Sequence, residues 1–347
     1  MLSTGSECAP RHRGASGILV GMDIAALVGE LGGFAQKRQL VARGARDFHL
    51  TAAVRNGSVR RARQGWYTTL GERDPRVRAV RVGGRLTGIS AIAALGGWVL
   101  RSDVLHVAVP PNAARLRSQY NRALHPPASR LKGVQLHWEQ SEWGDSSMVG
   151  LLEALRRVVV DESRETAIAA LDWALHTGRI DEMDVAIVMH HVLPARRISW
   201  ADLDPLCESL PESLARTRFR VAGFRVRSQV PLDNGQRIDL LVDEVVGFEV
   251  DGEQYHRDKF EEDRAKDGLI IRAGYVAYRA SARSVFGEWA SVEATIVAAI
   301  AARNLGNSGR PPQKRRRNRL PAHPRIPVPE FPKQAGMRRG GGALPPR

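Results

Sequence analysis

Residues 247–256 read GFEVDGEQYH: two carboxylates two positions apart at the end of an apolar run, then a glycine and, four positions later, a histidine. The run VVGFEV, residues 245–250, is apolar enough for a buried strand. Glu249 would cost several kcal/mol in such a strand unless it were paired or bound to a cation. Upstream, RIDLLV at 237–242 is a second apolar run, interrupted by Asp239. Between FRVRSQVPL, 224–232, and RIDLLV lies DNGQ, whose Asn-Gly dipeptide marks a hairpin. A helix is expected over 211–222 before these strands. Another is expected over 258–273 after them, with Gly274 as its C-cap and YVAYR, 275–279, as a closing strand. The order helix, three strands, helix, strand makes residues 204–302 a mixed α/β domain.

On adjacent strands Asp239 and Glu249 would lie side by side, with Asp251 as a third carboxylate able to converge on them. Oxygen-only ligands of high charge density suit Mg²⁺ or Mn²⁺. A cation held in this way activates water and neutralises charge developing on a phosphodiester. His256, titrating near neutrality, is the candidate general base; a hydrogen bond to phosphate or to a ligand is its other reading.

The chain has 347 residues, 43% hydrophobic and 26% charged, which suits a multidomain globular protein. No run approaches a membrane span, and GILVG near the start falls short of a signal-peptide core. Cys8 and Cys207 make neither a disulfide framework nor a zinc site, so a cytoplasmic setting is expected. The net charge of +15 is uneven. Residues 303–347 carry 12 Lys or Arg against Glu330, and residues 37–65 carry 8 against Asp47, which leaves the remainder slightly acidic. A polyanion such as DNA is the natural partner of both basic segments.

Residues 1–21 read as a disordered extension and 303–347, with PPQKRRRNR, as a disordered basic tail. From Met22 the pattern gives helices over 22–33, 35–43 and 47–56, then a hairpin around Gly65 in SVRRARQGWYTTL. Three helices and a wing over 22–70 are the order of a winged helix-turn-helix. The basic candidates for nucleic acid are Lys37, Arg38, Arg55, Arg60, Arg61 and Arg63; a helical cap with solvated arginines is the competing reading. Residues 71–200 are less legible. LTGISAIAALGGW reads as a helix, LHVAVP as a strand, and SSMVGLLEALRRVVVD and RETAIAALDWALHTG as amphipathic helices. His190 and His191 are expected to be structural, because adjacent helical residues diverge by about 100°.

The set R-I-D-L, E-V-D-G-x-x-Y-H, D-R-x-x-D and G-Y-V-A-Y-R, over roughly 208–286, resembles the very-short-patch-repair-endonuclease-like domain of the PD-(D/E)XK restriction-endonuclease-like superfamily. That resemblance implies a mixed sheet flanked by helices, with Asp239 and Glu249 as metal-binding acids. It puts Asp251 and His256 in the extended active site and Glu212 as the acid of the first helix. Asp263, Arg264 and Arg279 match polar positions with ion-pair or catalytic roles. The superfamily's usual lysine position holds Asp251, which leaves water activation open. GGFAQKRQL to RQGWYTTL, with SAIAALGG downstream, is similar to AbiEi-type antitoxins, whose N-terminal winged helix binds DNA.

Two functions follow as expectations. One is a Mg²⁺- or Mn²⁺-dependent endonuclease on DNA, or on RNA or a damaged duplex, with a homodimer required for symmetric cutting. The other is a DNA-binding regulator with an inactive nuclease fold and a toxin partner.

Overall fold

The computed structural model of the chain describes residues 22–127, 130–139, 144–251 and 260–307. By its internal contacts the chain divides into Met1–Arg303 and Asn304–Arg347. Everything below concerns the first unit. The expected N-terminal extension and nearly all of the basic tail lie outside the described residues, as does His256. Among the described residues no helix is long and apolar enough to cross a membrane.

The first part holds α1 (Ile24–Glu30), β1 (Phe34–Gln36), α2 (Lys37–Ala42), α3 (Asp47–Arg55), β2 (Arg60–Arg63) and β3 (Trp66–Thr68). The expected second helix therefore begins two residues late. Phe34–Gln36 instead pairs antiparallel with β3, giving a sheet of order β1-β3-β2. Pairing that buries Phe34 and Ala35 overrides their helical spacing. Ile24, Val28, Leu40, Leu50, Val59 and Tyr67 form the core of this part.

The middle contains α4 (Pro75–Val82), β4 (Arg85–Leu86), α5 (Gly88–Ala94), β5 (Leu105–Val109), β6 (Val134–Trp138), α6 (Leu151–Asp161), α7 (Arg164–His176) and α8 (Glu182–His190). Its helices accompany a sheet of order β4-β5-β6, in which β5 and β6 are parallel. Leu105, Val107 and Val109 of β5 pack with Leu155 and Val158 of α6 and Leu171 of α7.

The last part runs α9 (Leu210–Val221), β7 (Val226–Pro231), β8 (Arg237–Val242), β9 (Val246–Asp251), α10 (Phe260–Arg272), β10 (Val276–Ser281), α11 (Ala282–Gly287) and α12 (Trp289–Asn307). The sheet has the order β10-β9-β8-β7, antiparallel except for the β9–β10 pair. Leu214 and Phe219 of α9, Val285 of α11 and Ile296 of α12 pack with Leu240, Val242 and Phe248. Ile270 of α10 packs in a separate cluster with Leu241 and Val230. The chain is thus mixed α/β, with small open sheets and flanking helices. Gly247 sets how close α10 comes, because a Cβ there would meet Ile270 Cγ2 at 2.7 Å.

Candidate metal centre and nucleic-acid interface

Side chains alternate along strands, so Gly247, Glu249 and Asp251 share one face of β9. Extending the β8–β9 register one step beyond Leu240↔Phe248 sets Asp239 opposite Glu249, yet the ladder stops at Leu240. Side chains replace it. The Asp239 N–H donates to Glu249 Oε1 at 3.2 Å, and the Val250 N–H donates to Asp239 Oδ2 at 2.9 Å. On the other side, β7 and β8 pair at Ser228↔Leu240 and Val230↔Ile238 but not at Gln229. Gln229 has φ 53, a left-handed backbone costly for a residue with a Cβ. One row across the sheet, Gln229, Asp239 and Glu249, has given up strand pairing to present side chains. Arg279 of β10 faces Glu249 in the intact β9–β10 ladder.

Lys266 of α10 completes the row. It stands one turn before Ile270, on the side of α10 that the apolar anchor turns toward the sheet. Its ammonium contacts Glu249 Oε2 and lies 3.7 Å from Asp239 Oδ1. Burial raises both carboxyls above their ordinary range. Glu249 is pushed up to about 7, first by desolvation and then by the Asp239 charge, with Lys266 opposing. For Asp239 desolvation leads, opposed by the Val250 N–H and Lys266. Two carboxylates thus share one ammonium, and the oxygens not used by backbone N–H groups face it. Hard oxygen donors around a point already holding a cationic group fit Mg²⁺ or Mn²⁺.

Glu212 of α9 is buried and accepts from Ser209 Oγ at 2.7 Å, the Glu208 N–H at 3.0 Å and Gln229 Nε2 at 3.1 Å. Desolvation, then the Asp239 charge, raises its carboxyl. Gln229 thereby ties the first-helix acid to the row. Asp251, expected as a third carboxylate of the set, accepts from Arg279 Nη1 at 2.9 Å, while Arg279 Nε donates to Asp267 Oδ1 at 2.8 Å. The two carboxylates hold the Arg279 guanidinium more firmly protonated than usual, against burial. Of the helix's polar residues, Lys266 and Asp267 enter this network; Arg264 is exposed, and the Asp263 side chain and His256 lie outside the described residues. Lys266 and Gln229 escaped the sequence reading. A lysine one turn from a buried isoleucine was the available signal for the first, whereas nothing marks Gln229 before its backbone is seen.

Of the basic candidates, Arg38 and Arg55 are exposed on α2 and α3, and Arg60 and Arg61 on β2. Lys37 is exposed too, but pairs with Asp47 at 2.7 Å. Arg63 is corrected. Its guanidinium turns inward and donates to the carbonyls of Val82 at 3.2 Å and Arg115 at 2.6 Å. Phe48 on α3, two turns before Arg55, is 58% exposed. His190 and His191 are exposed, with ring nitrogens 3.4 Å apart. Trp173 packs in the core, Trp138 is about half exposed, and Trp143 lies outside the described residues. Compared with known proteins, the chain matches no family model and no curated protein.

Proposed function

We propose that this chain is a divalent-metal-dependent DNA endonuclease, with residues 22–70 holding the duplex and Asp239 and Glu249 holding Mg²⁺ or Mn²⁺. The observation that carries this reading is the interrupted β8–β9 ladder, which leaves the buried Glu249 and half-buried Asp239 carboxylates beside one ammonium. The motif resemblance over 208–286 points the same way. A cation bound there supplies water activation and charge neutralisation at the scissile phosphodiester. Asp239 and Glu249 are its ligands. Lys266 orients the acid pair and, once displaced from it, is positioned to donate to a phosphate oxygen. Glu212 and Gln229 brace the Asp239 end of the row.

A second reading has its own support. Lys266 already neutralises part of the acid pair, and Asp251 is engaged by Arg279. A DNA-binding regulator whose nuclease-like part is a scaffold would tolerate both. Plasmid nicking with Mg²⁺ or Mn²⁺ at low salt separates the two readings. Cleavage that is abolished by EDTA and lost in Asp239→Ala and Glu249→Ala supports the nuclease. No cleavage of plasmid, single-stranded, mismatched or RNA substrates by folded wild type, with salt-sensitive DNA binding, supports the regulator.

A further inference from the structure

We propose a second metal site, for a borderline-soft divalent ion such as Zn²⁺, at His106, His137 and Asp161 in the middle of the chain. The three residues come from three elements, β5, β6 and the C-terminal end of α6. Because β5 and β6 are parallel with Ala108 opposite His137, His106 and His137 occupy diagonal positions on one sheet face. One donor atom from each of the three residues lies within 4.8 Å of the others, and this is the group of three or more His, Cys, Asp or Glu found so close among the described residues. His106 Nδ1 lies 3.2 Å from His137 Nε2 and 3.9 Å from Asp161 Oδ2. A tetrahedral ion with ligands at about 2.0–2.1 Å separates its donors by about 3.3 Å, so the two imidazole nitrogens already stand at that spacing and the Asp161 carboxylate has to draw in.

Both imidazoles are buried, while Asp161 keeps 24% of its side-chain surface exposed and opens the site to solvent. Two imidazoles and one carboxylate suit Zn²⁺, Co²⁺ or Ni²⁺ better than Mg²⁺, and leave a fourth position for water or a further ligand. Gly88 packs closely against the site. Its backbone has φ +53, and a Cβ would stand 3.2 Å from His106 Nδ1 and 3.1 Å from Arg157 Cγ.

Arg157 is the opposing group. Its Nη1 lies 3.2 Å from His137 Nδ1 and its Nε 3.4 Å from Asp161 Oδ2. Without a metal it balances Asp161, one turn further along α6; with one it has to swing away from that carboxylate. Glu139, paired with Arg156 at 3.0 Å, adds negative charge to the neighbourhood of His137.

The test is a titration of the full chain, stripped with chelator, with Co²⁺ followed by visible absorption, then competition by Zn²⁺. Ligand-field bands should saturate at one Co²⁺ per chain and bleach with Zn²⁺. His137→Gln and Asp161→Asn should each weaken binding by at least about tenfold, the scale set by removing even an outer partner of a ligand. Arg157→Gln should strengthen binding, an effect that a merely structural polar network would not produce. The Asp239→Asn, Glu249→Gln double variant should bind as wild type does, which keeps this site separate from the proposed nuclease centre. Absent bands, or bands unchanged in His137→Gln and Asp161→Asn, overturn the proposal. If circular dichroism shows His137→Gln unfolded, Asp161→Asn at the solvent-facing ligand decides alone.

Discussion

The Asp239 N–H donates to the Glu249 carboxylate at 3.2 Å, at the step where strand pairing between β8 and β9 ends. A carboxyl pushed up to about 7 from 4.5 keeps a proton in the folded chain that the unfolded chain has released. Stability should therefore fall as pH rises from about 4.5 to about 7, by an amount of order 1–3 kcal/mol. Asp239, raised in the same direction, adds to the slope. Urea melts across this range should show the decline, Glu249→Gln should flatten it, and Mg²⁺ or Mn²⁺ should restore stability above pH 7.

Lys266→Met should leave two buried carboxylates without their ammonium. The metal-free variant should lose stability at neutral pH, by less than the ~3–5 kcal/mol of a fully buried broken pair because Lys266 is 18% exposed. Under the nuclease reading its cleavage rate should fall about 10²-fold, the scale of a positioned charge-stabilising donor. Thermal melts with and without Mn²⁺ beside nicking rates distinguish a group needed for chemistry from one that only holds the acids: in the latter case Mn²⁺ would restore both.

Arg60 and Arg61 are exposed on β2, whereas Arg63 donates to two carbonyls. Arg60→Ala with Arg61→Ala should reduce the slope of log binding constant against log salt by about 2. Arg63→Ala should change that slope little and lower the melting temperature instead. Fluorescence anisotropy with duplex DNA at several salt concentrations, together with thermal melts, checks both halves.

Arg216 and Asp172 form an ion pair with side chains 2% and 0% exposed, and Ser213 Oγ also donates to Asp172 at 2.6 Å. Arg216→Met should cost about 3–5 kcal/mol by stranding the aspartate. Adding Asp172→Leu should recover much of that loss. A double-mutant cycle in urea measures the coupling.

The C-terminal α/β order was readable because each of its elements carries a local mark: the Asn-Gly turn before β8, Gly274 after α10, and apolar strands broken by single acids. The acid pair was readable for the same reason, since a carboxylate inside VVGFEV needs compensation. Lys266 was not, because its meaning depends on where α10 lies over the sheet, and that is set by Gly247 and Ile270 across the interface. Arg63 looked like its exposed neighbours in sequence, yet the register shift between Arg61 and Arg63 turns it toward α4. β6 escaped notice because VQLHW alternates weakly, and its pairing with β5 is long-range. His137 consequently carried no signal until that parallel pairing set it beside His106.

The Asp172–Arg216 pair has a neighbour in Arg218, whose Nε donates to Glu165 at 2.7 Å, so two arginines of α9 reach back to acids on α7. A fragment beginning at residue 204 would keep both arginines and lose both acids. Its α/β part would inherit a buried, uncompensated guanidinium in the helix that carries Glu212. Silence from such a fragment in a cleavage assay would then report a damaged scaffold, and the stretches that separate so readily on paper must be assayed as one polypeptide.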